Sequence, residues 1–194
     1  MKRDVRTLRE HALYAAALHL IEQGCDPKEM KVQQIAEAAG IGKGTVYEYF
    51  SSKNEILHGM TLYIFDDELH RLQTRLQGCT TRAELAAAVR DYLTDLAGTR
   101  MGVYRIIAGS ATGFHLCDDP GKNLRTEALR TLVRGTLQRL QDAGQIDAAL
   151  DIDYCVYALI SAAAGGFLAL ADEPGIDPDA VGGHICRLLD RALR

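Results

Sequence analysis

The chain has 194 residues, of which 47% are hydrophobic and 25% charged, and its formal net charge is −4. This composition is ordinary for a soluble globular protein with one or two domains, and the overall charge does not by itself favour a nucleic-acid partner. The five cysteines are dispersed without a Cys-x-x-Cys pair, which argues against a disulfide framework and predicts reduced thiols in a cytoplasmic protein.

The N-terminal segment has the outline of a signal peptide, with MKRDVRTLRE followed by an apolar run. His11, His19 and Glu22 interrupt that run, so an amphipathic helix is the better interpretation. Because no apolar stretch reaches about 18 residues, we expect no membrane span. Residues 1–58 contain eight Lys and Arg against eight Asp and Glu, so residues 59–194 carry the whole negative charge.

Helical periodicity runs along the chain and no segment alternates like a strand, so we predict an all-α fold of about nine helices. The first helix is predicted over about 4–23 and the second over about 32–39, with Gly24 and Gly40 as stops. A third short helix follows Gly42. The expected apolar stripe of the first helix consists of Val5, Leu8, Ala12, Ala15 and Ala16.

Capping signals mark the later helices. Ser52 with Glu55, and Thr81 with Glu84, have capping-box spacing, and they open predicted helices over about 53–77 and 81–97. Further helices are predicted over about 100–114, up to 143, over 152–171, and from the Asp177-Pro178 pair to the C-terminus. The pattern predicts a small three-helix unit joined by a long helix to a larger helical body.

The stretch IGKGTVYEYFSSKNEIL, residues 41–57, carries the functional signal. Two short helices joined by three residues that include glycine are typical of a helix-turn-helix, whose second helix lies in the DNA major groove. With Val46 and Phe50 pointing inward, the exposed positions of the third helix are Lys43, Thr45, Tyr47, Glu48 and Tyr49. Lys, Thr and Tyr are typical donors to phosphates and base edges.

Two other interpretations of this stretch fit less well. Gly-Lys-Gly-Thr suggests a phosphate-binding loop, but that loop requires G-x-x-x-x-G-K-[ST] after a strand. Packing in a core explains one of Tyr47 and Tyr49 but not both, because residues two positions apart lie about 200° apart around a helix.

The segment VQQIAEAAGIGKGTVYEYFSSKNEIL resembles the DNA-binding region of TetR-family (tetracycline-repressor-like) transcriptional regulators. The resemblance implies a helix-turn-helix domain at 1–52 and an effector-binding and dimerisation domain at 53–194. It departs from the family at Lys31, where a capping Thr is usual, and at Gly42, where Ser is common. The DNA-contacting positions that it implies are Gln33, Lys43, Thr45, Tyr47, Glu48, Tyr49 and Lys53, to which we add Gly44, since glycine allows close backbone approach.

The last two predicted helices resemble the dimer interface of that family, a four-helix bundle formed by two subunits. Small residues in ISAAAGGF, 160–167, would let another helix come close, and apolar residues follow coiled-coil spacing. Packing inside one subunit is the alternative for each stripe. The predicted homodimer interface consists of Val156, Ile160, Ala163, Ala164, Phe167, Val181, Ile185, Leu188 and Leu189.

The larger body is expected to enclose an effector pocket, although each candidate side chain would also suit an ordinary core. The sequence does not identify the small molecule. The candidate lining residues are Phe65, Tyr92, Leu96, Met101, Tyr104, Ile107, Phe114, His115, Leu132 and Tyr157.

We therefore predict a one-component transcriptional regulator, a repressor that binds a pseudo-palindromic operator as a dimer and is released by a small-molecule effector, with no cofactor and no membrane partner. The pairs His115-x-Cys117 and His184-x-Cys186 leave open a metal- or redox-responsive regulator, although each pair offers only two metal ligands. No catalytic motif in the chain supports an enzyme, and a role as a protein adaptor would leave the outward Lys, Thr and Tyr residues unexplained.

Overall fold

A computed structural model describes residues 2–99, 120–172 and 175–193, and within these ranges the chain is helical with short connecting turns. The predicted all-α fold is confirmed. The helix expected over 100–114 lies outside the described residues. The described helices are α1 (Lys2–Glu22), α2 (Val32–Ala38), α3 (Lys43–Tyr49), α4 (Lys53–Gln77), α5 (Arg82–Thr99), α6 (Pro120–Asp142), α7 (Ile152–Asp172) and α8 (Pro178–Ala192).

Glycine ends α1 and α2 as predicted. Gly24 and Gly40 have φ angles of 90° and 64°, in the left-handed region that other residues rarely adopt. After α2, the N–H of Ile41 donates to the carbonyl of Ala36 over 2.9 Å, and that of Gly40 donates to Glu37 over 3.1 Å. This C-terminal motif satisfies carbonyls that the helix cannot use and turns the chain towards α3.

Side-chain caps fix the beginnings of α4, α5 and α8. The N–H of Glu55 donates to the hydroxyl of Ser52 over 3.2 Å, and the N–H of Glu84 donates to that of Thr81 over the same distance. The N–H of Asp179 donates to the carboxylate of Asp177 over 3.0 Å, beside Pro178 in the first turn. Each cap therefore lies where the sequence predicted it.

The described residues divide into two compact units, one formed by 2–67 with 120–123 and the other by 68–99 with 124–172 and 175–193. The functional division predicted after residue 52 stays a prediction. Side chains of α1, α2, α3 and the beginning of α4 form the core of the first unit. Its buried residues are Leu13, Ala16, Ala17, Ile21, Met30, Ile35, Ala36, Val46, Phe50, Ile56, Leu57, Met60 and Ile64.

The predicted apolar stripe of α1 was wrong in phase. Leu8, Ala12 and Ala15 are exposed and Ala16 is buried, whereas the side chain of Val5 lies outside the described part of the structure. The buried face begins with Leu13, one position along from Ala12, and one position rotates the face by about 100°. The many alanines of α1 mark no single face strongly, so the pattern alone did not fix the phase.

The core of the second unit forms where α5, α7 and α8 pack with α6. Glycines bring these helices close together: a Cβ on Gly166 would lie 2.4 Å from Cδ1 of Ile185, and one on Gly182 would lie 3.2 Å from Cα of Arg90. The buried residues are Leu76, Cys79, Leu85, Val89, Leu93, Val133, Leu137, Leu140, Ile146, Cys155, Val156, Leu159, Ile185, Leu189 and Leu193.

One helix contradicts the expectation that no apolar stretch is long enough to span a membrane. Among the described residues, Ile152–Ala171 in α7 is long and apolar enough to cross a membrane by length and composition, with a mean hydropathy of 1.8. Only 28% of this apolar segment is buried within the chain. The polar residues in this segment are too few to lower its average hydropathy, and the core helix of a soluble protein can have the same composition.

Candidate nucleic-acid interface

Buried apolar side chains hold α2 and α3 as a helix-turn-helix. Ile35 and Ala36 anchor α2 in the core, and Val46 and Phe50 anchor α3. The short segment Ala39–Gly42 connects the two helices. The pattern that predicted this motif is therefore confirmed in the geometry of the backbone.

The caps of α2 and α3 differ from ordinary N-caps. The N–H of Lys31 donates to Oε1 of Gln34 over 2.8 Å, which is half of a capping box. The other half is missing, because a lysine ammonium has no acceptor to offer the helix. Gly42 precedes α3 without a side-chain cap. The free N–H groups at both helix starts are thus left for water or for a bound anion.

The outer face of α3 exposes the residues expected to contact DNA. Lys43, Gly44, Tyr47 and Glu48 are exposed, and Tyr47 keeps 52% of its surface accessible. Thr45 is half-buried. A Cβ on Gly44 would meet nothing within 4 Å, so packing within the chain does not require glycine here. The face is open to a second molecule along its full length.

Tyr49 is held by two arginines of α1. Nη1 of Arg9 donates to the hydroxyl of Tyr49 over 3.1 Å, and the guanidinium of Arg6 lies 5.7 Å from the centroid of its ring. Arg6 also forms a 2.8 Å ion pair with Glu10. The ring of Tyr49 packs partly against the core. Arg9 was not among the residues predicted from the sequence to contribute to the interface. Its only signal in the sequence is its position, three residues after Arg6 on the same face of α1.

Lys53 lies at the beginning of α4 and reaches back to the turn after α1. Its Nζ donates to the carbonyl of Pro27 over 2.9 Å and to that of Lys28 over 2.7 Å. An ammonium has three N–H donors, so a third remains for a phosphate. The expected phosphate contact and this structural role can therefore coexist in one side chain.

Carboxylates near the interface are engaged within the chain. The amide of Gln33 donates to Glu37 over 2.7 Å, and both residues are exposed on α2. The hydroxyl and N–H of Ser51 both donate to Glu55 over 2.7 Å, and these bonds hold the pKa of the Glu55 carboxyl below its usual range. Glu55 therefore remains ionised, and its bonds to Ser51 hold the beginning of α4 without reducing its negative charge.

The predicted effector pocket stays a prediction, because half of its lining residues lie outside the described part of the chain. Leu96 is buried, Tyr92 and Leu132 are half-buried, and Phe65 belongs to the first compact unit. Tyr157 is 56% exposed, and the guanidinium of Arg130 lies 5.6 Å from its ring centroid, so Tyr157 faces the surface. Five predicted lining residues lie outside the described residues, namely Met101, Tyr104, Ile107, Phe114 and His115.

The residues predicted for the dimer interface fall into three groups by burial. Val156, Ile185 and Leu189 are buried in the core of the second unit, and their side chains are not on the surface. Ala164 and Leu188 are exposed, whereas Ile160, Ala163, Phe167 and Val181 are half-buried. An exposed seam on α7 shares Ala164 with the predicted one and otherwise lies one or two positions from it. It consists of Tyr154, Tyr157, Ser161, Ala164 and Leu168.

The described cysteines and histidines do not assemble into a metal site. Among these residues there is no group of three or more His, Cys, Asp or Glu that could hold a metal ion. Burial raises the pKa of the Cys79, Cys155 and Cys186 thiols, which keeps them protonated and less reactive. His115 and Cys117 lie outside the described residues. The alternative of a metal or redox sensor therefore gains no support.

Comparisons with known proteins agree with this geometry. Residues 13–60 match the family model described as "Bacterial regulatory proteins, tetR family". No curated protein matches the chain in sequence. Solved structures share its fold, among them the transcriptional regulator FadR from Bacillus subtilis in complex with stearoyl-CoA. That structure is 19% identical, with a TM-score of 0.71, over 95% of this chain and 99% of FadR.

Two repressors of multidrug efflux pumps have the same fold. SmeT of Stenotrophomonas maltophilia, the repressor of SmeDEF, is 18% identical with a TM-score of 0.70, over 94% of this chain and 89% of SmeT. NalD, the secondary repressor of MexAB-OprM in Pseudomonas aeruginosa, is 20% identical with a TM-score of 0.66, over 97% of this chain and 98% of NalD. At these identities the likeness concerns the fold.

Proposed function

We propose that the chain is a transcriptional repressor of the TetR family that binds operator DNA as a homodimer and releases it when a small molecule binds. The match of residues 13–60 to the model of this family supports a DNA-binding transcriptional regulator over an enzyme. Operator binding, dimerisation, effector release and a cytoplasmic location form the proposal.

The observation that carries DNA binding is the open outer face of α3. Lys43, Tyr47 and Glu48 are exposed there, while Val46 holds the helix in the core. In a helix-turn-helix the first residues of the second helix face the base edges, and a helix start favours phosphates. Lys43 and Tyr47 would donate to DNA, and Glu48 would accept from a cytosine amino group. Lys53 would then offer its remaining N–H to a backbone phosphate.

The homodimer is supported by apolar surface that the single chain leaves uncovered. Tyr154, Tyr157 and Leu168 are exposed on α7, and Leu188 is 62% exposed on α8. Along α7 the exposed seam has spacings of three and four residues, as in helices that pair with another helix. A second copy of this surface would cover both helices, and two recognition helices would read half-sites roughly 34–36 Å apart or a multiple of that distance.

Release by a small molecule is supported by relatives of the same fold. FadR from Bacillus subtilis is in complex with stearoyl-CoA, and SmeT is in complex with triclosan. For the present chain we propose an effector bound in the second unit, coupled to DNA because it binds one arrangement of the dimer more tightly than the other. The α4 helix contributes residues to both compact units and is our candidate for that coupling.

The test is selection of an operator from a random DNA pool, followed by binding measured by fluorescence anisotropy over a range of salt concentrations. We expect affinity to fall steeply with salt, because phosphate contacts release counterions. Tyr47→Ala should weaken operator binding about 10- to 100-fold, as expected for loss of a base or phosphate contact worth about 1–3 kcal/mol. Leu124→Ala removes a side chain that is also exposed, on α6, and should bind as wild type.

If no sequence is enriched from the pool, or if Tyr47→Ala and Leu124→Ala bind the selected operator equally well, α3 is not the reading helix.

A further inference from the structure

An arginine-lined groove runs between α5 and α8 in the second unit, and nothing in the proposed DNA or effector contacts accounts for it. Its volume is about 890 Å³, within the range of small-molecule sites. The side chains that line it are Arg82, Ala83, Ala86, Ala87, Arg90, Cys186, Arg187, Asp190 and Arg191.

The groove combines a small apolar floor with a basic rim. Three alanines of α5 leave space between the helices, because a methyl group fills little of it. Arg82 and Arg90 come from α5, and Arg187 and Arg191 come from α8. The lining contains four arginines and one acidic residue, Asp190, although the chain as a whole has a net charge of −4. Asp91 does not line the groove, but its carboxylate lies 3.5 Å from Nε of Arg90 and pairs with it.

Contacts within the chain hold two of these arginines in place. Nη1 of Arg82 donates to the carbonyl of Leu193 over 3.4 Å, and its Nε lies 4.0 Å from the carboxylate of Asp190. The stem of Arg90 packs against Gly182, where a Cβ would come within 2.7 Å of Cγ of Arg90. Arginine side chains that are already ordered lose less entropy when they bind an anion.

The other two arginines lack an equivalent partner. Among the residues that the structure describes, neither Arg187 nor Arg191 has a carboxylate within salt-bridge distance. They lie one turn apart on α8, and like charges at this spacing repel each other. A bound anion would relieve that repulsion, since guanidinium groups pair with phosphate and carboxylate in a two-pronged geometry.

We propose that this groove binds a small polyanion that carries two or more phosphate or carboxylate groups. Arg82 and Arg90 are eight residues apart on α5, about 12 Å along a helix, so separate anionic groups of one molecule would be needed to engage both ends. The alanine floor would contact the linking part of that molecule. This site does not depend on the proposed operator contacts or on the effector that releases the operator.

The test is isothermal titration calorimetry of the full chain with pyrophosphate and, separately, with citrate, at constant ionic strength. We expect saturable binding of one ion per chain for at least one of these probes. Arg187→Gln/Arg191→Gln should weaken it by about tenfold or more, since a hydrogen bond between charged groups is lost with each guanidinium. The ratio of pyrophosphate to citrate affinity identifies which anionic group the site prefers.

Two further variants separate the groove from general charge effects. Arg125→Gln/Arg134→Gln removes the same charge from α6 and should leave the affinity within about twofold of wild type, because screened charges outside the site contribute little. Ala87→Glu places a carboxylate on the floor and should abolish binding without removing an arginine. Equal loss in both arginine pairs, or binding that does not saturate, would overturn the proposal. A change of oligomeric state in Arg187→Gln/Arg191→Gln would overturn it too, because the arginines would then serve contact between subunits.

Discussion

The ammonium of Lys53 donates to the carbonyl of Pro27 over 2.9 Å, and this bond ties the beginning of α4 to the turn that precedes α2. A second bond from the same ammonium to Lys28 measures 2.7 Å. The two residues that carry these carbonyls lie 26 and 25 positions earlier in the chain. Lys53 thus fixes α4 to the helix-turn-helix, in addition to any contact that it makes with DNA.

Replacing Lys53 should therefore affect stability as well as operator binding. Lys53→Ala leaves the carbonyls of Pro27 and Lys28 to water, and we expect the free energy of unfolding to fall by about 1–3 kcal/mol, as for hydrogen bonds to a charged group. Urea denaturation followed by circular dichroism measures this change. Lys43→Ala, at an exposed position of α3, should weaken operator binding with no comparable loss of stability. Equal stability of the two variants would show that the Lys53 bonds contribute nothing.

The Glu84 carboxylate makes the stability of the α5 cap depend on pH. The N–H and hydroxyl of Thr80 and the N–H of Thr81 all donate to its carboxylate, and these bonds hold its pKa below the usual range. The folded state therefore favours the ionised form. The stabilisation is present above the ordinary carboxyl pKa of about 4.3 and is lost as the pH falls through the lowered value.

We expect Glu84→Gln to lower the Tm near pH 7, with the difference from wild type shrinking as the pH falls below about 4. Differential scanning fluorimetry across this pH range gives the comparison. Glu29→Gln, at an exposed site in the turn before α2, serves as the matched control and should show no such trend. A constant difference in Tm at every pH would mean that the cap does not depend on ionisation.

The sequence predicted those parts of the fold that local patterns encode. The caps at Ser52, Thr81 and Asp177 and the spacing of α2 and α3 each depend on residues within a few positions of one another. The exposed face of α3 could be predicted because Val46 and Phe50 face the core, which leaves the opposite side of the helix exposed. Local chemistry was therefore enough to locate the candidate DNA interface.

Contacts between residues that are far apart in the chain could not be predicted from the sequence. The bond from Arg9 to Tyr49 spans 40 positions, and no pattern in either helix encodes it. In α7 the seam Val156, Ile160, Ala163 and Phe167 was predicted as an interface between subunits, yet Val156 packs into the core of its own chain. An apolar, alanine-rich helix has hydrophobic residues on more than one face, so periodicity does not say which face meets which neighbour.

The close contact between Gly59 and Tyr14 gives a prediction about packing in the first unit. A Cβ on Gly59 would lie 2.4 Å from the hydroxyl oxygen of Tyr14 and 2.5 Å from its Cζ. The ring of Tyr14 has little room to move, because it makes an edge contact with Phe50 at a centroid distance of 5.7 Å. Gly59→Ala should therefore lower the free energy of unfolding by about 1–3 kcal/mol through overpacking.

Gly135→Ala is the matched control for this substitution, because a Cβ there would meet only the end of Arg139, at 3.9 Å. It should raise the free energy of unfolding by roughly 0.5–1 kcal/mol, since alanine favours the helix interior. Chemical denaturation distinguishes the two. If Gly59→Ala is as stable as Gly135→Ala, the Tyr14 ring moves freely and the contact is not a constraint.

The exposed apolar surface of α7 and α8 gives the prediction that bears on assembly. Leu188→Lys and Leu168→Glu each place a charge on the proposed contact surface, and we expect either variant to shift the protein from dimer to monomer, because a charge buried in an apolar interface lacks a partner. Both leucines are exposed in the single chain, so neither substitution should unfold it. Sedimentation velocity gives the oligomeric state, and circular dichroism verifies the helical content.

Leu124→Glu provides the control for these variants, since Leu124 is exposed to a similar extent on α6. It should remain dimeric and bind operator as wild type does. The monomeric variants should also lose operator affinity, because a single recognition helix contacts only one half-site. If wild type sediments as a monomer and depends on detergent for solubility, the apolar surface of α7 meets a lipid phase instead of a second subunit, and the dimer proposal fails.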